Sequence, residues 1–303
     1  MNLNIIIFLT ILTCPSASQA QDINPKLINI GDPAPPVKVG EWIKGTPIKE
    51  FEKGKIYVVE FWATWCRPCI AVMPELSDLA KKYKDKISIV AVDILENKSI
   101  NKNRIYDFVD SMGKRMNYHV GMDDNQNMET SWYNATAEPG IPKTFLINDE
   151  GIICWIGNPK DLAQVLPKVV SHGWNIPEAL AKRNMEKRLK DQDYEASYRL
   201  REYLTNGINC DTYGNPDSAL LIIKDIVAKD PNMQFTPIIA LNTFTALLKK
   251  DQEKAYEYGS RAIETSTYTD PPYGIVISVL KNFQEVPLLP KISTYLVLIA
   301  IKK

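Results

Sequence analysis

The sequence predicts an α/β domain followed by an all-α domain, and three observations carry that expectation. Ile56-Tyr57-Val58-Val59-Glu60-Phe61-Trp62 is a short, nearly unbroken apolar run rich in β-branched and aromatic residues, as expected of a strand covered on both faces. It leads into Trp65-Cys66-Arg67-Pro68-Cys69, where the strand pattern gives way to a helical one whose apolar face continues through Val72 and Leu76. Beyond Trp174-Asn175-Ile176-Pro177 the β-branched strands disappear and long helical periods begin. A length of 303 residues, 45% hydrophobic and 24% charged, is enough for about two globular domains. The formal net charge of +0 gives no basic footprint for nucleic acid or an anionic membrane, and no segment of the mature chain is long and apolar enough to span a bilayer.

Taken in order, the first element is not part of the fold. Leu3 to Leu12 has the dimensions of a signal-peptide core, and Ser18-Gln19-Ala20 is a small-x-small cleavage site. Residues 1–20 are therefore expected to be a signal peptide, with a mature start near Gln21 and a destination outside the cytoplasm, although the leader lacks Lys or Arg ahead of its core. Cys14 offers a lipid-anchored alternative, which Thr13 disfavours as the residue before a lipidated cysteine.

The strand-to-helix junction carries the chemistry. At the start of a helix, unpaired backbone N–H groups and the positive end of the helix dipole favour a thiolate, which makes Cys66 the expected attacking sulfur. Cys69, one turn on, lies on the same side of the helix and is shielded by its apolar face, which makes it the resolving sulfur. Pro68 falls in the first turn, where a helix tolerates proline best, and Arg67 adds a cation nearby. The pair is thus expected to cycle between dithiol and disulfide.

With these residues in place, Phe61 to Cys69 (FWATWCRPC) resembles the active-site segment of thioredoxin-like proteins, and specifically of the TlpA/ResA-type thiol-disulfide oxidoreductases of the bacterial cell envelope. Gly31-Asp32-Pro33-Ala34-Pro35 is similar to the N-terminal segment of that group, and Gly140 to Ile147 to its cis-proline loop and following strand. Asn148-Asp149-Glu150-Gly151 then reads as a hairpin turn and Ile152 to Gly157 as the last strand, so the resemblance runs over residues 29–172. It implies a thioredoxin-like domain with a central mixed sheet flanked by helices, and reduction of protein disulfides without a cofactor. It further implies substrate contacts from Trp65, Pro68, Ile141 and Pro142, with the backbone before a cis Pro142 pairing with the substrate peptide. Protein thiols or disulfides would be its partners, together with an electron donor in the membrane or periplasm.

Two acids are candidates for proton handling. Glu60 interrupts an otherwise apolar central strand, so burial should raise its pKa toward neutrality, unless a lysine such as Lys55 or Lys143 pairs with it. The resemblance implies that an acid at this position helps to deprotonate the resolving cysteine. Glu96 follows the strand Ile87 to Ile94, near the edge where open α/β sheets bind ligands, and the ResA-like group has a similar glutamate there; a solvated loop acid is the alternative. A zinc site would need a second close ligand pair, which five Cys and two His do not supply. Peroxiredoxins resemble this fold too, but that family carries Thr three residues before its reactive Cys, where this chain has Ala63.

The expected domains are thus residues 21–173, thioredoxin-like, and 174–303, helical. Within the second, Glu178 to Lys190 and Tyr194 to Leu204 read as helices. Ala219 to Ala228 and Ala255 to Glu264 align at an offset near the length of a tetratricopeptide repeat, with Asp230-Pro231-Asn232 as the turn and Ile238 to Lys249 between them. This weaker resemblance implies a surface for a protein partner; the alternatives are a helical cap on the oxidoreductase domain, or an interaction protein whose main function is the helical part, with the thioredoxin-like domain only a binding module. Cys154 and Cys210 are expected to be inert buried thiols rather than a disulfide between domains. Tyr295 to Ile301 is apolar but too short to cross a bilayer.

Overall fold

A computed structural model describes residues 27–97, 99, 101–123, 125–204, 215–265, 273–282, 287–292 and 294. The expected signal peptide with Cys14, the thiol Cys210 and the stretch Tyr295 to Ile301 lie outside the described residues. Contacts divide the chain into two units, Met1–Ile176 and Pro177–Lys303.

The first unit is built on a six-stranded mixed sheet, in the order β1-β4-β3-β2-β5-β6. Strands β2 (Ile56–Trp62) and β3 (Ile87–Asp93) occupy its centre, run parallel, and are buried at all seven positions each. Burial on both faces is why their sequences show almost no polar alternation. β4 (His119–Met122) extends the parallel half beyond β3, and β1 (Glu41–Lys44) closes that edge antiparallel to it. On the other side, β5 (Lys143–Ile147) and β6 (Ile153–Gly157) run antiparallel. Their hairpin forms because Asn148 Oδ1 accepts the N–H groups of Glu150 and Ile152, at 3.1 and 2.8 Å, and Gly151 takes a φ of +82° that a side chain would resist. The segment around Pro33 lies along this hairpin, with Gly31 N–H on Ile153 O and Ala34 N–H on Gly151 O.

Helices α1 (Arg67–Lys82), α2 (Asn103–Met112) and α3 (Leu162–Val170) contribute to one buried cluster with the sheet. The buried face of α1 runs Cys69, Met73, Leu76, Leu79; the expected Val72 is only half-buried, because the i, i+4, i+7 progression from Cys69 selects Met73. Register places Val58, Glu60 and Trp62 of β2 on the same sheet face as Ile89, Ala91 and Asp93 of β3.

In the second unit, α4 (Ile176–Leu204) is one continuous helix, where two were expected. Asp191-Gln192-Asp193 contains neither Gly nor Pro and therefore does not break it. It is followed by α5 (Pro216–Lys229), α6 (Pro237–Lys250), α7 (Gln252–Thr265) and α8 (Tyr273–Asn282). α5 starts at Asn215, whose Oδ1 caps the N–H groups of Asp217 and Ser218. α6 packs against α5, α7 and α8, and apolar side chains of α4, α5 and α6, including Leu189, Leu200, Ile223 and Ile239, form a buried cluster. Among the described residues no helix is long and apolar enough to cross a membrane.

Candidate active site

Cys66 is the N-cap of α1. Its backbone is extended, with φ −80° and ψ 91°, and its Sγ accepts the backbone N–H of Cys69 at 3.3 Å. This is the interaction that lowers the cost of a negative sulfur, because a helix N-terminus offers donors that no preceding turn satisfies. Pro68, in the same first turn, gives up an N–H that the helix would not have used. The two cysteines are joined in a disulfide with Cα atoms 5.3 Å apart. In this oxidised state both are covered, Cys69 completely and Cys66 to within 3%.

The surroundings assemble from several elements. Trp65 stands 57% exposed beside the disulfide, and its indole N–H donates to Leu95 O at 3.1 Å. Thr64 N–H donates to Glu96 Oε1 at 2.6 Å. Leu95, between these anchors, has a φ of +59°, a conformation a branched side chain adopts only when neighbouring contacts impose it. Arg67 and Pro68 are exposed. The Ile141-Pro142 bond is cis, and the half-buried Ile141 packs against the cluster that contains both cysteines.

Glu60 lies on β2 on the sheet face that this cluster covers. It is fully buried, neither carboxyl oxygen has a hydrogen-bond partner, and burial pushes its pKa up to about 8. Neither candidate lysine offsets it. Lys143 is opposite Phe61 in the register, hence on the other face, and its Nζ donates to Thr136 Oγ1 and Glu138 O; Lys55 Nζ lies 5.6 Å from the centre of the Tyr57 ring. Tyr118, also buried, has its pKa raised by burial and then by the nearby Glu60.

Sequence reasoning passed over Asp93, which ends β3 on the same face as Glu60. An acid closing the apolar run Ile87 to Asp93, two positions from the partner of Glu60, was the available signal. Asp93 is 2% exposed, and its pKa is pushed up to about 9 by burial first, then by the Glu96 carboxyl beside it, then by Asp123. It opens onto a cleft of about 600 Å³ at the C-terminal ends of β3 and β4, lined also by Leu95, Glu96, Lys102, Asp123 and Glu129. Among the described residues no group of carboxyl, thiol and imidazole side chains converges as a metal site. Cys154 is free and buried, donates weakly to Leu146 O at 3.3 Å, and has its pKa pushed up to about 12, chiefly by burial.

Comparison with known proteins places this geometry. The sequence model of the AhpC/TSA family matches residues 30–156. Protein FixW of Rhizobium leguminosarum is 36% identical over 168 residues, 53% of this chain and 73% of FixW. Thiol-disulfide oxidoreductase ResA of Bacillus subtilis is 34% identical over 100 residues, 33% of this chain, and the match spans half of the ResA length. A thioredoxin-like protein solved in its oxidised form aligns with 48% of this chain and 99% of its own, at 16% identity and a TM-score of 0.41. With a six-stranded mixed sheet, a Cys66–Cys69 pair at the head of α1 and FixW matched over nearly three quarters of its length, the chain belongs to the thioredoxin-like AhpC/TSA family, among relatives that include ResA-type thiol-disulfide oxidoreductases.

Proposed function

We propose that the protein is an exported thiol-disulfide oxidoreductase that reduces protein disulfides through Cys66 and Cys69. The observation that carries this reading is the N-cap position of Cys66, with its sulfur on the Cys69 N–H and its partner one turn away. In the reduced enzyme the Cys66 thiolate attacks one sulfur of a substrate disulfide docked beside Trp65, Pro68, Ile141 and Pro142. A mixed disulfide forms and one substrate thiolate leaves, taking up a proton. Glu60 then removes the Cys69 proton; a carboxyl with a pKa near 8 is well matched to that transfer close to neutral pH. The Cys69 thiolate attacks Cys66 Sγ, the second substrate thiolate leaves, and two electrons have passed to the substrate as the Cys66–Cys69 disulfide forms. Glu96 serves this cycle by holding Thr64, two residues ahead of Cys66.

Reduction requires a separate donor to restore the dithiol, in the membrane or the periplasm if residues 1–20 direct export. Residues 21–173 would suffice for the chemistry, and residues 174–303 would engage a protein partner, on the strength of their repeat-like helix spacing. The test is an insulin-type disulfide reduction assay on the full chain, with Cys69→Ser alongside. The expected result is turnover by the wild type and a covalent mixed disulfide through Cys66 in the variant. No turnover together with no trapped species would remove the proposal.

A further inference from the structure

We propose that Lys143 is a positioning residue for substrate docking: its buried ammonium buckles the loop of residues 136–141 into the shape that presents the Gly140-Ile141 backbone to a polypeptide. This deepens the thiol-disulfide reading above and rests on it for the substrate. Lys143 is 6% exposed at the start of β5, and as the register partner of Phe61 it lies on the sheet face opposite Glu60. Burying an ammonium costs free energy unless its donors are met, and Leu or Met would fill the same position more readily. The loop meets those donors. Nζ donates to Thr136 Oγ1 at 2.8 Å and to the backbone carbonyl of Glu138, and it stands 4.6 Å from the centre of the Tyr133 ring.

Loop and ammonium depend on each other. If the loop lifted away, a buried cation would lose acceptors, so the ammonium opposes any movement of Glu138. Tyr133, 8% exposed, extends the hold toward the substrate side, because its hydroxyl accepts Gly140 N–H at 2.8 Å. Thr136 Oγ1 closes the network by donating to Tyr133 O at 2.8 Å. Such anchors are needed here: Ala137 has a φ of +52°, a conformation that a residue with a side chain keeps only where its surroundings impose it. The held segment runs directly into Ile141, which packs against the cluster containing both cysteines. A clamp on one face of the sheet thus fixes the backbone that adjoins the redox pair on the other. A peptide pairs with such a backbone through hydrogen bonds of fixed direction, so a small displacement weakens docking without touching the sulfur chemistry. Lys143 therefore governs affinity for polypeptide disulfides and leaves small disulfides indifferent.

The test uses the full chain carrying Cys69→Ser, so that a mixed disulfide at Cys66 persists. Two probes are compared: a short peptide whose single cysteine is joined to thionitrobenzoate, and 2-mercaptoethanol joined to the same group. The Cys66 thiolate attacks the carrier sulfur of each, and coloured thionitrobenzoate leaves with the electron pair of the broken S–S bond. Lys143→Met, similar in length and uncharged, should raise the half-saturation concentration for the peptide probe about tenfold. Its limiting rate, and its rate with the 2-mercaptoethanol probe, should stay within about twofold of the parent. Tyr133→Phe removes one hydroxyl and leaves the ammonium in place; it should give the same split at several-fold, and it carries the test if Lys143→Met does not fold. Unchanged peptide half-saturation, or equal loss with both probes, overturns the proposal. The second of these would mean that Lys143 serves stability alone. Release from both probes with equal efficiency in the parent sinks this inference and leaves the Cys66 chemistry standing, whereas no release from either sinks the oxidoreductase reading and this inference with it.

Discussion

Glu60 and Thr144 are register partners across β2 and β5, and neither polar side chain has a hydrogen-bond partner. Both are fully buried. A fold tolerates such an acid by keeping it protonated, and the pKa of about 8 expresses that. The sign of the stability effect follows. The folded state holds the proton more tightly than the unfolded chain, so Glu60 favours folding below its ordinary pKa of about 4.5 and costs stability progressively as pH rises through about 8. By pH 7 the cost is on the order of 3 kcal/mol. Glu60→Gln, which cannot ionise, should flatten the fall in urea midpoint between pH 5 and 8. Asp93, raised in the same direction to about 9, should keep part of the slope. A slope identical to the wild type would mean that Glu60 ionises as freely in the fold as out of it.

The same carboxyl governs a rate. If Glu60 takes the Cys69 proton, release of the mixed disulfide should accelerate with pH as Glu60 ionises, with its midpoint near pH 8 and a plateau only above that. Glu60→Gln should slow that step by roughly a hundredfold, a typical loss for a positioned base, while first attack by Cys66 stays near its wild-type rate. Rapid-mixing measurements from pH 6 to 9 separate the two steps. A wild-type release rate that does not change across that range would rule out a carboxyl at this position as the base.

Cys154 gives the opposite forecast. Its thiol is buried in β6, bonded to Leu146 O and held up to about 12, so it should remain unmodified by iodoacetamide in the folded, reduced protein. Peptide mass mapping should find Cys66 alkylated first among Cys66, Cys69 and Cys154, with Cys154 labelled only in denaturant. Labelling of Cys154 at the rate of Cys66 would contradict the packing around β6.

How far the sequence disclosed all this depends on what kind of signal each feature left. The central strands were plain because burial on both faces leaves an unmistakable apolar run, and the cysteine pair because its spacing coincides with a helix start. Glu60 was conspicuous as the one acid in such a run. Asp93 was not, because at the end of a strand an acid reads as the beginning of a loop, and only the register with β2 puts it on the face of Glu60. Glu96 was found, but its bond to Thr64 N–H depends on the left-handed turn at Leu95, which no sequence pattern announces. The unbroken α4 was misread as two helices because Asp191 and Asp193 look like a loop, whereas Asp193 serves a helix far away in the chain.

That service gives a last prediction. The residue before α6, Thr236, is extended and sits at its N-cap, yet its own side chain caps nothing. The carboxylate of Asp193, on α4, stands in: Oδ2 accepts Ile238 N–H at 2.9 Å, Oδ1 accepts Ile239 N–H at 3.2 Å, and Thr236 Oγ1 donates to Oδ1. Asp193 is 4% exposed, so removing it strips the acceptor from the buried Ile239 N–H and the half-buried Ile238 N–H. Burial nonetheless holds its pKa above the usual carboxylate range against the three hydrogen bonds that pull it down, so a neutral acceptor should serve nearly as well. Asp193→Ala should therefore cost the second unit about 1–3 kcal/mol, while Asp193→Asn should cost clearly less. Hydrogen exchange at Ile238 and Ile239, together with the urea midpoint of the full chain, reads both effects. Unchanged exchange in Asp193→Ala would show that α6 is capped by something other than a residue on α4.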